Sequence, residues 1–396
     1  MVRMLARPIT LCAKTVLQPS SSGIMESQKG GGPVEHSNNH PHFDPDRMRS
    51  PIEPAHKGRA QRLVEIAERV GIVRSVRGLH DRHNPALTIL AYHRVMPADA
   101  LESYPFDQEL ISATPAQFDS QMRYLREHLH PIALKDVVAH IQEGTSLPAN
   151  SVAVTFDDGF ADTYRYAFPV LKRYRIPATI FVSTGYVDSG EPFWFELVSY
   201  LVYRLPPQSL ALPEGECFPA DDSWAGRTAS LRRLHSILKD LPNAIRLAIL
   251  NEWTRCFAIE LHHGTSMHSQ PISWPQILEM AAAGIAFGSH TVTHPNLTHV
   301  SDEELTRELG DSKKSLESRL QQPIDTIAYP IGTPSAFNAR VISAARRHHF
   351  KLGLTYVSGA NVIPLTNPLE LHRHGVGLRM TSGYFRALTS LPSWLN

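Results

Sequence analysis

The stretch Ser151-Val152-Ala153-Val154-Thr155-Phe156-Asp157-Asp158-Gly159-Phe160 decides the fold. Its first six residues form a short apolar run rich in β-branched side chains, with no polar alternation. Such a run fits a strand covered on both faces, as in parallel sheets. Two carboxylates and a glycine end it before a helical pattern over 162–174. Working outward, similar short runs occur at Leu87–Tyr92, Ala178–Ser183, Ile285–Ser289, Thr326–Tyr329 and Lys351–Tyr356, and Glu370–Leu378 closes the set. Helical periodicity fills the gaps at Pro115–His128, Asp162–Tyr174, Ser301–Leu320 and Phe337–His349. Strand and helix in alternation predict an α/β fold with about seven parallel strands. The alternation lapses over about 193–270, where Ser230–Leu241 and Ala244–Glu260 are helical, so this stretch is read as a helical insertion.

Upstream, the Ser-, Gly-, Pro-, Asn- and His-rich composition predicts disorder over 1–58, with His36, His40 and His42 given no role, and 59–84 is read as a leading helix. Arg3, Arg7 and Lys14 faintly resemble a targeting segment, but Pro8 and Lys14 interrupt any apolar core. No convincing signal peptide is therefore expected, which places the chain in the cytoplasm by sequence. Across its 396 residues the chain is 42% hydrophobic and 19% charged, enough to bury a core and too weakly charged for a disordered polymer. A formal net charge of +1 gives no electrostatic footprint for nucleic acid, and no apolar run is long enough to span a membrane. Cys12, Cys217 and Cys256 lie far apart without zinc-ribbon spacing and are read as incidental.

Polar residues gather at the C-terminal ends of the expected strands, where barrel enzymes place their active sites: His93, Asp157, Asp158, Ser183, His290 and Tyr329. Alone, Asp157-Asp158-Gly159 is as well explained by a turn and a helix cap. Two adjacent carboxylates also point differently, so one can ligate a metal while the other accepts a proton. Gly288-Ser289-His290-Thr291-Val292-Thr293-His294-Pro295 supplies two histidines four apart, which one helical turn would set side by side. With an aspartate they make a three-ligand set that leaves a position open for water. No Glu follows His290, which excludes the zinc-peptidase helix motif. Ala328-Tyr329-Pro330-Ile331-Gly332 reads as a strand end and turn whose glycine allows the backbone to approach a ligand.

In this order, the three motifs resemble the polysaccharide deacetylase family, the chitooligosaccharide deacetylase homology domain of carbohydrate-esterase type. The resemblance runs from about Leu87 to Val376 and includes Tyr92-His93-Arg94-Val95, Thr114-Pro115-Ala116-Gln117-Phe118 and Ile176-Pro177-Ala178-Thr179-Ile180-Phe181-Val182. Phe193-Trp194-Phe195-Glu196-Leu197 is similar to a branch found among bacterial exopolysaccharide enzymes. The resemblance implies a modified (β/α) barrel over 85–390. It also implies a metal-dependent hydrolase that removes N-acetyl groups from an N-acetylhexosamine-containing polysaccharide. Carried over by position, Asp157 is the base, Asp158, His290 and His294 hold the metal, and the Ile331 N–H helps hold the oxyanion. Tyr329, Pro330 and His93 join Ile331 as oxyanion or substrate contacts. Zinc suits the ligand set best, with cobalt, nickel, manganese and iron able to use the same ligands. Relatives often act outside the cytoplasm.

Two departures from the family pattern matter. Ala328 stands where many members carry the Arg that orients the base, and Arg373 in Leu371-His372-Arg373-His374-Gly375-Val376 is the candidate substitute. The family acid is a His near the last strand, so His372 and His374 are both candidates. Strand alternation sends them to one side and Arg373 to the other, unless a bulge intervenes. Tyr186, Trp194 or Tyr356 would offer a ring for a sugar to stack on. Two other functions compete: a catalytically silent carbohydrate-binding barrel, and a metal-dependent amidase on a small non-sugar amide.

Overall fold

The computed structural model describes residues 86–102, 108–213, 215–256 and 270–391. The expected disordered segment 1–58 and leading helix 59–84 lie outside the described residues, as do Cys12 and the end of the helix expected to reach Glu260.

Seven strands run parallel: β1 (Ala86–Tyr92), β2 (Ser151–Phe156), β3 (Ala178–Val182), β4 (Ala286–Ser289), β5 (Thr326–Ala328), β6 (Leu352–Leu354) and β7 (His374–Gly375). Spatial order follows chain order from β1 to β6, and β7 lies on the free side of β1 with Leu90 opposite His374. Just before β7, Leu371 bridges Leu354 of β6, and the Thr355 N–H donates to the Leu371 carbonyl at 2.9 Å. The ring therefore closes, and the fold is a (β/α) barrel. Two short pieces decorate it: His130–Pro131 beside the start of β2, and Asn361–Val362 antiparallel to the start of β1.

Helices α1 (Pro115–His128), α2 (Leu134–Glu143), α3 (Phe168–Tyr174) and α4 (Thr184–Ser189) precede the insertion. The insertion holds α5 (Trp194–Arg204), α6 (Trp224–Asp240) and α7 (Asn243–Cys256), with a small hairpin of Leu210–Ala211 and Cys217–Phe218 that periodicity did not foretell. Then come α8 (Trp274–Ala282), α9 (Asp302–Leu320), α10 (Ala339–Arg347) and α11 (Ser382–Ser390). Helix starts follow their caps. Thr114 and Gln117 form a reciprocal capping box at α1, and the Ser301 hydroxyl accepts the Glu304 N–H at α9. The helix expected from Asp162 begins instead as a wide π turn over Thr163–Ala167. Pro169 has no N–H to return to Arg165, so a regular α-helical ladder is broken there.

Strand alternation sorts the core. One set of side chains, including Leu87, Ile89, Ala153, Phe181, Ala328, Leu354 and Leu371, fills the barrel interior, and α2 adds Val137. The other set, including Leu90, Tyr92, Val154, Ile180, Phe287 and Ile327, packs outward against the helices. The insertion has its own cluster, joined to the barrel through Phe160. Its Glu196 meets buried Arg94, which is also bonded to Asp162 at 2.6 Å. The Phe193–Leu197 motif therefore ties the insertion to the segments that follow β1 and β2.

Candidate active site

Alternation also places the chemistry. Continuing the inward-facing rows past the strand ends puts His93 after Ala91, Asp157 after Thr155, His290 after Gly288 and Arg373 after Leu371. Asp158 follows an inward residue and would face outward in extended chain. A left-handed backbone at φ 69° turns it back, so that its Oδ1 lies 3.4 Å from His290 Nε2 and 3.3 Å from His294 Nε2. Gly159 must be glycine, because at φ +83° a Cβ would stand 2.7 Å from Val182 Cγ1.

Asp158, His290 and His294 are all buried, with their ligand atoms within 4.8 Å of one another. His290 Nδ1 lies 2.7 Å from the Ala328 carbonyl. A carbonyl only accepts, so Nδ1 carries a proton and Nε2 is the nitrogen that faces Asp158, the arrangement a metal ligand needs once Nε2 gives up its proton. The two imidazoles are pushed in opposite directions. Burial drives His294 down to about 4. At His290 burial also lowers the pKa, but the Asp158 hydrogen bond and both carboxylates outweigh it and raise it. This pocket of carboxylates thus draws in a positive charge, which a cation would supply in place of the proton. Donor set, tautomer and spacing fit a divalent ion.

The histidine pair does not sit on a helical turn. Thr291 and His294 both take positive φ, 68° and 54°, and the segment is a loop. Its backbone groups are engaged elsewhere: Glu308 of α9 accepts the Val292 and Thr293 N–H groups at 2.7 and 2.9 Å and the Thr293 hydroxyl at 2.5 Å. On the other side, the Thr184 and Gly185 N–H groups donate to the Thr291 and Val292 carbonyls. The imidazoles still meet, with ring centroids 4.9 Å apart. From the insertion, the Trp194 indole N–H donates to the His294 carbonyl at 3.3 Å and Phe195 packs edge-on against its ring. The sequence reading missed Glu308. The available signal was an acid on the buried stripe of α9, between Leu305 and Leu309 and one turn before Ser312.

Arg373 faces the barrel interior and grips Asp157 with two parallel bonds of 2.7 and 2.6 Å, while its Nε donates to the Thr355 carbonyl at 2.7 Å. Both side chains are essentially inaccessible. Burial raises the Asp157 carboxyl, but the Arg373 charge and hydrogen bonds, with help from His290 and His93, hold it below its usual value. The neighbouring histidines are corrected by the same alternation, because no bulge forms. His372 is exposed on the outer face, against Gly359. His374 is buried on the outside of the barrel, with Nδ1 3.2 Å from the Ser358 hydroxyl, and burial pushes it down to about 4. Neither reaches Asp157.

Tyr329 is corrected too. Its row faces outward: the ring stacks on Phe337 and the hydroxyl donates to the Leu369 carbonyl at 3.0 Å, so the side chain is turned away from the carboxylates. Pro330 is buried, and Ile331 takes φ 66° at the rim, a strained value for a β-branched residue. Gly332 serves packing rather than ligand approach, since a Cβ there would lie 2.6 Å from the Tyr356 backbone nitrogen. His93 remains half-buried at the mouth beside Tyr356, ring centroids 5.3 Å apart. Of the expected stacking rings, Tyr356 stays at the mouth. Trp194 is buried under Arg246, and the Tyr186 hydroxyl is occupied by the Trp194 backbone N–H.

The polysaccharide deacetylase family model matches residues 144–353, more than half of the chain, and the chain belongs to that family. It is 21% identical to the putative polysaccharide deacetylase YxkH of Bacillus subtilis (strain 168) over 275 residues, 69% of this chain and 66% of that protein. It is 36% identical to the poly-beta-1,6-N-acetyl-D-glucosamine N-deacetylase of Staphylococcus aureus (strain MSSA476) over 132 residues, 32% of this chain and 45% of that protein. The match thus spans less than two thirds of the length of either relative. Among solved structures, the fold is similar to the Streptococcus pyogenes deacetylase PplD in complex with acetate, with a TM-score of 0.52 and 24% identity, covering 78% of this chain and 100% of that one.

Proposed function

We propose that the protein is a metal-dependent hydrolase that removes acetyl groups from N-acetylhexosamine units of a polysaccharide. The observation that carries this reading is the pairing of two unlike carboxylates: Asp158 shared with two histidines, and Asp157 clamped by Arg373 beside it. Asp158, His290 and His294 would hold the ion, and zinc suits one carboxylate and two imidazoles best. A bound divalent ion would polarise the acetamide carbonyl and acidify a water.

The remaining work falls to the chain's own groups. Asp157 takes a proton from the attacking water as oxygen bonds to the carbonyl carbon. Arg373 keeps that carboxylate ionised and fixed in direction, the task of the Arg that Ala328 replaces. The Ile331 N–H donates to the developing oxyanion. His93 is the non-ligand histidine facing the carboxylates among the described residues, and it gives a proton to the leaving nitrogen as the C–N bond breaks. Acetate and a free amine result. The staphylococcal relative's name supports an N-acetylglucosamine polymer as the substrate class.

The test is acetate release from a panel of N-acetylated glycans and small amides, with and without a chelator. Chelator-sensitive release from glycans is expected. Release from small amides alone would favour the amidase, and none from any member would leave a silent barrel.

A further inference from the structure

The insertion reaches the candidate metal site from behind, through a residue that none of the catalytic assignments uses. Helix α7 buries a stripe of Asn243, Arg246, Ile249, Leu250 and Trp253. Its last three members are apolar, as helical amphipathicity requires, whereas Asn243 and Arg246 are polar on the same buried face. Arg246 is 1% exposed and its Nε has no hydrogen-bond partner. A buried guanidinium ordinarily bonds to a carboxylate. Here Nη2 donates to Asn243 Oδ1 at 2.5 Å, and Nη1 makes a long contact of 3.5 Å with the His294 carbonyl. The guanidinium lies over the Trp194 ring, 4.7 Å from its centroid, and the Trp194 indole N–H donates to that same carbonyl. Asn243 Nδ2 in turn donates to Glu304 of α9.

The loop from Thr291 to His294 is therefore gripped at both poles of its peptides. Glu308 brings negative charge to the Val292 and Thr293 N–H groups, and Arg246 with Trp194 brings positive charge and a donor to the His294 carbonyl. Such a grip is what the loop needs, because Thr291 and His294 sit at φ 68° and 54°, values that persist only where the surroundings enforce them. Arg246 acts on the site in two opposed ways. As a charge it repels a cation; as a clamp it keeps His294 Nε2 3.3 Å from Asp158 Oδ1. Burial disfavours the charge, and Glu308 and Glu304 are among the groups that offset it. With two acids against one base, the clamp dominates.

The geometry points to Arg246 as a positioning residue for His294, through which the insertion sets how tightly the site holds its ion. This rests on the metal-site reading and deepens it.

The test measures Zn²⁺ affinity by chelator competition, and hydrogen exchange of the loop amides in metal-free protein. Arg246→Met should weaken Zn²⁺ binding by roughly 10- to 100-fold, the scale for a group that orients a ligand, and should speed exchange from Thr291 to His294. Excess Zn²⁺ should restore kcat with KM unchanged. Arg246→Lys should fall in between, since an ammonium cannot both stack on Trp194 and reach Asn243 and His294. It replaces Arg246→Met if that variant does not fold, and unchanged affinity and exchange in it would then refute the role. Leu231→Ala opens the same insertion core away from His294 and should lower Tm without altering Zn²⁺ affinity. Unchanged or tighter Zn²⁺ binding in folded Arg246→Met, or an equal loss in Leu231→Ala, would overturn the proposal. If the unaltered protein binds no Zn²⁺, the metal reading fails and exchange alone decides. A loop loosened in Arg246→Met but not in Leu231→Ala keeps the positioning role, and no difference removes it.

Discussion

Replacing Arg373 with Met tests whether Asp157 is held ionised by a single buried partner. The side chains are similar in size, so the change removes charge and hydrogen bonds more than volume. Both groups are inaccessible and joined by two bonds shorter than 2.8 Å. Removing one member of such a pair leaves a buried charge uncompensated, which costs about 3–5 kcal/mol. The pH dependence has a definite sign. In the native protein burial raises the Asp157 carboxyl, but Arg373, helped by His290 and His93, outweighs it, so the group titrates below its unfolded value. Its ionisation therefore adds stability above the unfolded pKa, and that contribution is lost as pH falls through the lowered folded pKa. In Arg373→Met burial acts with only the weaker opposition of His290 and His93, so the folded pKa rises above the unfolded one. The variant then has its deficit at neutral pH and recovers part of it on acidification, as the carboxyl is protonated. Urea denaturation at neutral and mildly acid pH measures the first effect; the acidic limb of kcat/KM, which should move to higher pH, measures the second. Arg373→Lys should restore part of both. A stability deficit independent of pH together with an unmoved acidic limb would refute the reasoning.

Asp157→Asn should keep the bound metal while losing about 10²- to 10⁴-fold in turnover, read by elemental analysis beside acetate release. Glu308→Ala orphans the Val292 and Thr293 N–H groups, at about 1–3 kcal/mol each, and should weaken metal affinity by roughly 10- to 100-fold in a chelator competition. Metal affinity unchanged in that variant would make Glu308 structural only. His93→Gln should slow release from the N-acetyl amide far more than from a nitrophenyl acetate ester, whose leaving group departs without a proton. Equal losses on both substrates would remove His93 from the donor role.

The parts legible in the sequence are those in which local pattern and tertiary role coincide. The run from Ser151 to Phe156 is a strand because every residue in it is buried on one face or the other. The same holds for the caps at Thr114 and Ser301, whose side chains act within one helical turn. Alternation, applied to Leu371-His372-Arg373-His374, correctly separated Arg373 from both histidines, and only the closure of the ring against β1 and β6 decided which side faced inward. Tyr329 misled because its motif lies at the active site while its side chain belongs to the outward row. The helical turn expected between His290 and His294 failed for a long-range reason. Glu308 and Gly185 take up the backbone groups a helix would need, and both come from elements distant in sequence. Asp158, Thr291, His294 and Ile331 all carry positive φ, a strain held in place by those contacts and invisible to local propensity.

The central claim is that one divalent ion on Asp158, His290 and His294 is required for deacetylation, and returning metal to chelator-stripped protein tests it most directly. Acetate release from an N-acetylhexosamine oligomer should rise in proportion to metal bound and level off at about one ion per chain, the capacity of a three-ligand site, with His290→Ala neither binding tightly nor recovering activity. Full acetate release from the stripped protein, or undiminished metal binding by His290→Ala, would contradict the account.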